Sequence, residues 1–343
     1  MNTIMSKFKV NSITDKSGRS GPVIAGVSTN NSTGCMIIPA GPTEHRGGRG
    51  RNVTYGGYSP SYNSEMNVME IATTGSAVDF GDASDENDFG SGMASATRGV
   101  FKQGRDGSSP YTRTMEFVTF SSLGGVTDFG DDLGVLQDSS ASSANGIRGI
   151  FGNGTGYDAV IQSINIPTGG DTTQFGTLSQ GLYMGGGAGG ASPTRGFFFG
   201  GRTASPAVVV KTIEFVTFAS GGAATNFGDL TVARRAIAAV TNNTRAVSCS
   251  GDTPATNTMD YITMASEGNA TDFGDITRQA AGYGAGGSTQ TRGVITGCSP
   301  APNANPIDYI TFATLGNATD FGDTTYNSYT CAACSDAHGG LIP

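Results

Sequence analysis

Residues Asn317–Asp323 read NATDFGD, and residues Asn269–Asp275 read NATDFGD again. DFGD recurs at Asp79–Asp82 and Asp128–Asp131, NFGD at Asn226–Asp229, and a worn copy, QFGT, at Gln174–Thr177. The phenylalanines of these phrases are Phe80, Phe129, Phe175, Phe227, Phe273 and Phe321. The chain therefore repeats itself with a period of roughly 48 residues, and such a repeat decides the fold before any single element does.

Working outward from this phrase, each copy is preceded by an alternating apolar–acid–aromatic–apolar run. The clear ones are MEFVTF (Met115–Phe120), IEFVTF (Ile213–Phe218), MDYITM (Met259–Met264) and IDYITF (Ile307–Phe312). VMEIAT (Val68–Thr73, with Glu70 as its acid) and IQSINI (Ile161–Ile166) are weaker versions. Alternation at period two marks half-buried strands. A third phrase, Thr-Arg-Gly-apolar or a variant, carries Arg51, Arg98, Arg148, Arg195, Arg245 and Arg292. A fourth stretch, rich in Ala and Gly, joins each FGD to the next Arg, as in LTVARRAIAAV (Leu230–Val240) and SYTCAAC (Ser328–Cys334). Four short strands per unit, at this period, are the signature of β-propeller blades. One such sheet cannot bury both faces alone, whereas stacking around an axis covers each face with a neighbour.

Composition agrees with an all-β protein. Of 343 residues, 54 are Gly and none is Trp, and no window shows sustained helical spacing of apolar residues. That much Gly disfavours helix by about 1 kcal/mol per residue against Ala. The net charge of −8, with no basic stripe beyond the short HRGGRGR (His45–Arg51), argues against nucleic acid as a partner. The opening MNTIMSKFKV lacks the apolar core of a secretion signal, and no apolar run is long enough for a membrane helix. The expectation is synthesis in a cytoplasm with no membrane partner. Five Cys (35, 249, 298, 331 and 334) are an odd count for a disulfide framework. Cys331, Cys334 and His338 form at most half a zinc site, and small residues on a packed strand are the simpler reading.

Within a blade, the Phe of FGD is expected to wedge against a neighbouring blade. Its Gly is expected to take a positive φ at a turn. Its Asp (Asp82, Asp131, Asp229, Asp275, Asp323) is expected to accept backbone N–H bonds there or to pair with the Arg about 16 residues on. Because Arg and Asp recur at equivalent positions, both read as scaffold and not as catalysts. With two His, no Ser/His/Asp arrangement, and no phosphate or dinucleotide loop between strand and helix, no catalytic residue, cofactor or metal is expected.

An apolar run ending in Gly-Gly, an acid–aromatic strand, a turn and an Arg-bearing strand together resemble the kelch propeller repeat, although kelch units usually carry a Trp where FGD stands here. The phrases IDYITFATLGNATDFGD (Ile307–Asp323) and SPTRGFFFGG (Ser192–Gly201), the opening DKSGRSGPVIAGV (Asp15–Val27) and the close SDAHGGL (Ser335–Leu341) are more closely similar to the Gly-rich propeller proteins of tailed bacteriophages, cyanophages in particular. This resemblance spans nearly the whole chain. It implies a virion structural protein, with other virion proteins and further copies of itself as partners.

Counting from Arg51 gives six complete units. The expected architecture is a six-bladed kelch-like propeller over residues 46–343. Its ring closes when Tyr329–Cys334 pairs beside Asn52–Gly57. The rival is seven blades, using His338–Ile342 and Val23–Thr29 as further strands. Residues 1–45 belong to no unit. They hold possible strands at Lys7–Ile13 and Val23–Thr29, and form either an arm for a neighbour or a strap on the same ring.

Unit length varies mainly in the loop between the Arg strand and the acid strand, and a rigid scaffold carrying one variable loop set is a common design for binding. The candidate contacts on these loops are Tyr58, Tyr62, Arg105, Tyr111, Tyr157 and Arg202. Three functions are carried forward. The first is a capsid-decoration or tail/fibre component. The second is a module that grips host cell-surface glycan, against which the lack of Trp counts. The third is a non-viral extracellular or filament-forming propeller.

Overall fold

The computed structural model describes residues 48–58, 60–106, 112–134, 138, 140–184, 186–188, 191–278, 282–298 and 305–341, and the backbone of two short strands before them. The chain divides into two units, Met1–Arg46 and Gly47–Ile342. In the first, Ser28–Thr29 pairs antiparallel with Met36–Ile37. The rest of the strands expected over 7–13 and 23–29 lies outside the described residues.

The second unit is a six-bladed β-propeller of four-stranded antiparallel blades, without a helix among the described residues. The Arg51–Tyr58, Tyr62–Glu70 and Val78–Asn87 strands form the outer three strands of the first blade. Its inner strand is Ala332–Ser335, which pairs antiparallel with Arg51–Tyr58, Ala332 opposite Tyr55. The ring is thus closed by the two ends of the repeat, as the unit count predicts. Small residues form the inner strands: SGMA (Ser91–Ala94), ASSA (Ala141–Ala144), AAVT (Ala238–Thr241) and AGGS (Ala285–Ser288). Crowding at the axis requires this, and serines then join neighbouring blades. Ser142 Oγ donates to Gly92 O (2.8 Å), Ser288 Oγ to Thr241 O (2.6 Å) and Ser335 Oγ to Ser288 O (2.8 Å).

The repeated phrase turns out to be the two halves of a clasp between blades. FGD lies in the outer strand of its blade, not at a turn. There the ladder slips by one residue: Ile307 faces Gly322 and Asp308 faces Asp320, so Phe321 is the extra residue of a bulge. The freed Phe packs into the next blade, Phe273 against Ile310 and Phe312, and Phe321 against Met69 and Ile71. The NA half of the phrase docks on the FGD of the blade before. Gly316 N–H donates to Phe273 O and Ala318 N–H to Asp275 O (both 2.8 Å), while Asn317 Oδ1 accepts Asp275 N–H (3.1 Å). Gly75 and Ala77 of the first blade repeat this on Phe321 and Asp323 of the sixth. Gly274 has φ +138°, and a Cβ there would sit 2.5 Å from the backbone of Gly316, so no other residue fits.

Two more seams run around the ring. Five of the six repeat Arg lie over an aromatic ring of their own blade, as Arg245 does over Tyr261 (4.9 Å) and Arg195 over Phe215 (4.5 Å), while Arg51 pairs with Glu70. Each then donates to a carbonyl of the next blade: Arg51 to Phe120, Arg98 to Pro167, Arg148 to Phe218, Arg195 to Met264, Arg245 to Phe312 and Arg292 to Ala72. The expected Arg–Asp pairing is therefore replaced. Among the described residues no ion pair joins an FGD Asp to a repeat Arg, because the guanidinium is committed to a carbonyl of the next blade and to a ring or, at Arg51, to Glu70. The acid of the alternating strand forms the other seam, buried and facing backwards. Asp260 accepts from Thr231, Asp308 from Thr277 and Glu214 from Ser179. In the first blade this position is Asn67, opposite Thr54, and it accepts Thr325 N–H at 2.7 Å. Glu70 lies three residues further on and pairs with Arg51 instead. With Asn67 as reference the first unit has the same spacing to its FGD Asp as the others. Counted from Glu70, the acid of VMEIAT, that spacing is three residues shorter, so Asn67 and not Glu70 is the counterpart of the buried acids.

His338 does not begin a seventh blade. After Ser335 the chain turns across the axis and plugs one end of the ring, touching every blade. Asp336 accepts N–H bonds from Arg49, Gly50 and Arg51 (2.8–2.9 Å). His338 Nε2 contacts Ala94 O (2.8 Å), Gln290 Nε2 donates to His338 O, and Gly339 N–H donates to Thr241 O. Gly339 also lies against Ala191 O and Gly340 against Ala144 O, too close for any Cβ.

Candidate functional site

The end of the ring opposite the plug carries both the variable hairpins and the connections from each outer strand to the next inner strand. At those connections Phe89, Met184, Ala236, Tyr283 and Thr330 all adopt positive φ, between 52° and 64°. Left-handed backbone at a non-glycine residue costs on the order of 1 kcal/mol or more. Here a run of hydrogen bonds compensates: Phe89 N–H donates to Thr330 O, Thr330 to Tyr283, Tyr283 to Ala236 and Ala236 to Met184, at 2.7–3.0 Å. These residues form the mouth of an axial cavity of about 90 Å³ whose walls are the small residues of the inner strands. The space suits a few waters.

Around the mouth stands a collar of half-buried aromatic and charged side chains. Arg105 grips Asp88 through two bonds (Nε–Oδ1 3.0 Å, Nη2–Oδ2 2.8 Å), reaches Asp138 (3.4 Å), and lies 4.5 Å over the Phe89 ring. Phe89 in turn meets Tyr283 edge to face, and Tyr283 Oη donates to Asp252 (3.2 Å). Arg235 holds the same Asp252 at 2.6 Å. The Tyr183 ring lies between two guanidiniums, Arg202 at 5.3 Å and Arg235 at 5.6 Å. Arg202 Nη2 also donates to Tyr157 Oη at 2.5 Å. Tyr58 packs edge to face on both Tyr62 and Tyr329. Burial, with Asp138 nearby, pushes the Tyr183 phenol up to about 12. Burial likewise holds the Asp88 carboxyl above its usual range despite Arg105.

Of the loop residues singled out from sequence, Tyr58, Tyr62, Arg105, Tyr157 and Arg202 all lie on this collar. Tyr111 lies outside the described residues. Phe89, Tyr183, Arg235, Tyr283 and Tyr329 were missed. They had a signal: Phe89, Tyr183, Tyr283 and Tyr329 each stand just ahead of a small-residue inner strand. That stretch reads as packing only, so its leading aromatic passes unnoticed.

The thiols of Cys249, Cys298, Cys331 and Cys334 are free and buried, and burial pushes each of them up. Cys35 lies outside the described residues. Among the described residues no cluster of His, Cys, Asp and Glu has the geometry of a metal site. No protein-family model matches the chain, and no curated protein matches it.

Proposed function

We propose that this chain is a non-enzymatic structural protein of a tailed-phage particle, a capsid-decoration or tail/fibre component that assembles through the collar end of its ring. A β-propeller fits a protein-interaction module, and the observation that carries the reading is the asymmetry of its two ends. One end is filled by the chain's own Asp336–Leu341. The other gathers Tyr, Phe and Arg, the side chains most enriched where proteins bind one another. The collar acids are engaged in ion pairs, Asp88 by Arg105 and Asp252 by Arg235, which suits a preorganised contact surface. The phage assignment rests on the sequence resemblance. Its partners are then other virion proteins and further copies of the chain, and its location the virion assembled in the host cytoplasm. A reconstruction of the intact particle tests this: the chain is expected in symmetric contact with other subunits through the collar. Absence from the particle would overturn the reading.

A second reading, host-glycan binding, is favoured by the Tyr157–Arg202–Tyr183 stack, which offers aromatic faces and guanidinium donors together. A glycan array separates the two, since Tyr157→Ala abolishes binding only if the collar holds sugar.

A further inference from the structure

We propose that Lys102 and Asp132 condense into an intramolecular isopeptide bond that ties the second blade to the chain leading into the third. Lys102 ends the Arg98–Lys102 strand, and Asp132 follows the Thr127–Asp131 strand. Lys102 Nζ lies 3.3 Å from Asp132 Oδ2, and each side chain is 1% exposed. Burial lowers the Lys102 ammonium from its usual value, favouring the nucleophilic amine, while Asp132 and Asp138 act against that shift.

The surroundings supply what the reaction needs. Asp132 Oδ1 accepts Gly134 N–H (2.5 Å) and lies 3.7 Å from Arg113 Nε, so negative charge developing on that oxygen is stabilised. Asp132 Oδ2, 3.3 Å from Nζ, takes a proton from the ammonium, which leaves a neutral amine facing a neutral acid. The free amine attacks Asp132 Cγ, forming the C–N bond. The C–Oδ2 bond breaks, and the second nitrogen proton leaves with that hydroxyl as water. Ammonium and carboxylate thus become one amide and one water, without oxidant or co-reactant. Holding the two groups together replaces a bimolecular encounter, which in oriented systems is equivalent to on the order of 10⁵–10⁸ M reactant. The product also removes two charges from a dry interior.

Two other ion pairs in the ring show what is special about this one. Arg234 and Asp260 are equally buried at 2.9 Å, but a guanidinium does not give up its proton. Lys211 and Asp229 lie at 3.1 Å but are solvated, with 56% and 34% of the side chains exposed. Among the described residues only Lys102 combines an amine with exclusion of water.

Intact-mass spectrometry of the purified, folded full chain tests this, followed by peptide mapping. The expected result is a mass lower by one water, with a branched peptide joining residues 102 and 132. Lys102→Arg keeps the charge and restores the full mass. Asp132→Asn condenses with loss of ammonia instead of water. A folded chain with the full sequence mass, or a water loss mapped elsewhere, overturns the proposal. Should Lys102→Arg fail to fold, the wild-type map and Asp132→Asn decide alone.

Discussion

Arg292, in the sixth blade, donates to the carbonyl of Ala72 in the first, 3.0 Å away and 220 residues back along the chain. The same bond is made between consecutive blades elsewhere, but here it spans the closure. Arg292→Met removes this bond and the cation above Tyr309. We expect a loss of about 1–3 kcal/mol, read as a lower urea midpoint. The same change at Arg195 should cost a similar amount, and an unchanged midpoint for both would contradict the seam.

Gly274 and Gly316 touch each other and share a positive φ, yet they differ as sites for a methyl group. A Cβ on Gly274 meets the Gly316 backbone at 2.5 Å, whereas a Cβ on Gly316 meets nothing within 4 Å. Gly316→Ala should cost about 1 kcal/mol from backbone strain alone. Gly274→Ala adds a backbone clash and should cost several times as much, or prevent folding. Thermal unfolding of the two variants side by side measures the difference.

His338 makes the ring sensitive to acid. Burial first, set against the bond to Ala94 O, holds its pKa down to about 4. Nε2 must donate to Ala94 O while Nδ1 accepts Gly340 N–H, so the neutral tautomer satisfies both and a second proton displaces one. The folded pKa lies below the unfolded value near 6.5. The contribution is therefore complete above pH 6.5 and is lost as pH falls toward 4, by about 3 kcal/mol at most. Asp336 and Asp308, raised by burial, act with the opposite sign. The difference between wild type and His338→Gln, followed by denaturant unfolding from pH 7.5 to 4, isolates the histidine and should shrink as pH falls.

Asp260→Ala leaves the Arg234 guanidinium, fully buried, without its carboxylate. A loss of about 3–5 kcal/mol is expected. The double variant Arg234→Met/Asp260→Leu should recover much of it, and a double-mutant cycle in urea reads the coupling directly.

Blade number, strand order, closure and the side bearing the variable loops were legible in the sequence because each is a property of the period. The roles of the repeated residues were less so. Asp275 and Arg292 look complementary along the chain, but their nearest neighbours belong to adjacent blades, and periodicity within one unit is silent about what meets across units. Asn67 was hidden for a related reason: an amide does in the first blade what a carboxylate does in the fifth, while a real acid stands three residues away. The collar was half visible, through its hairpins. Its inner aromatics come from connections whose composition announces only tight packing.

The inner strand of the first blade is translated long after the blade's other three strands. Ala332 follows its partner Tyr55 by 277 residues, so at about 5–20 residues per second the Arg51–Tyr58 edge waits bare for roughly 15–55 s on the ribosome. A bare edge accepts any matching strand, including the Ala332–Ser335 of a neighbouring nascent chain. Crowded polysomes are thus the setting in which these rings would link tail to head into swapped oligomers, and slower initiation should favour monomeric wheels.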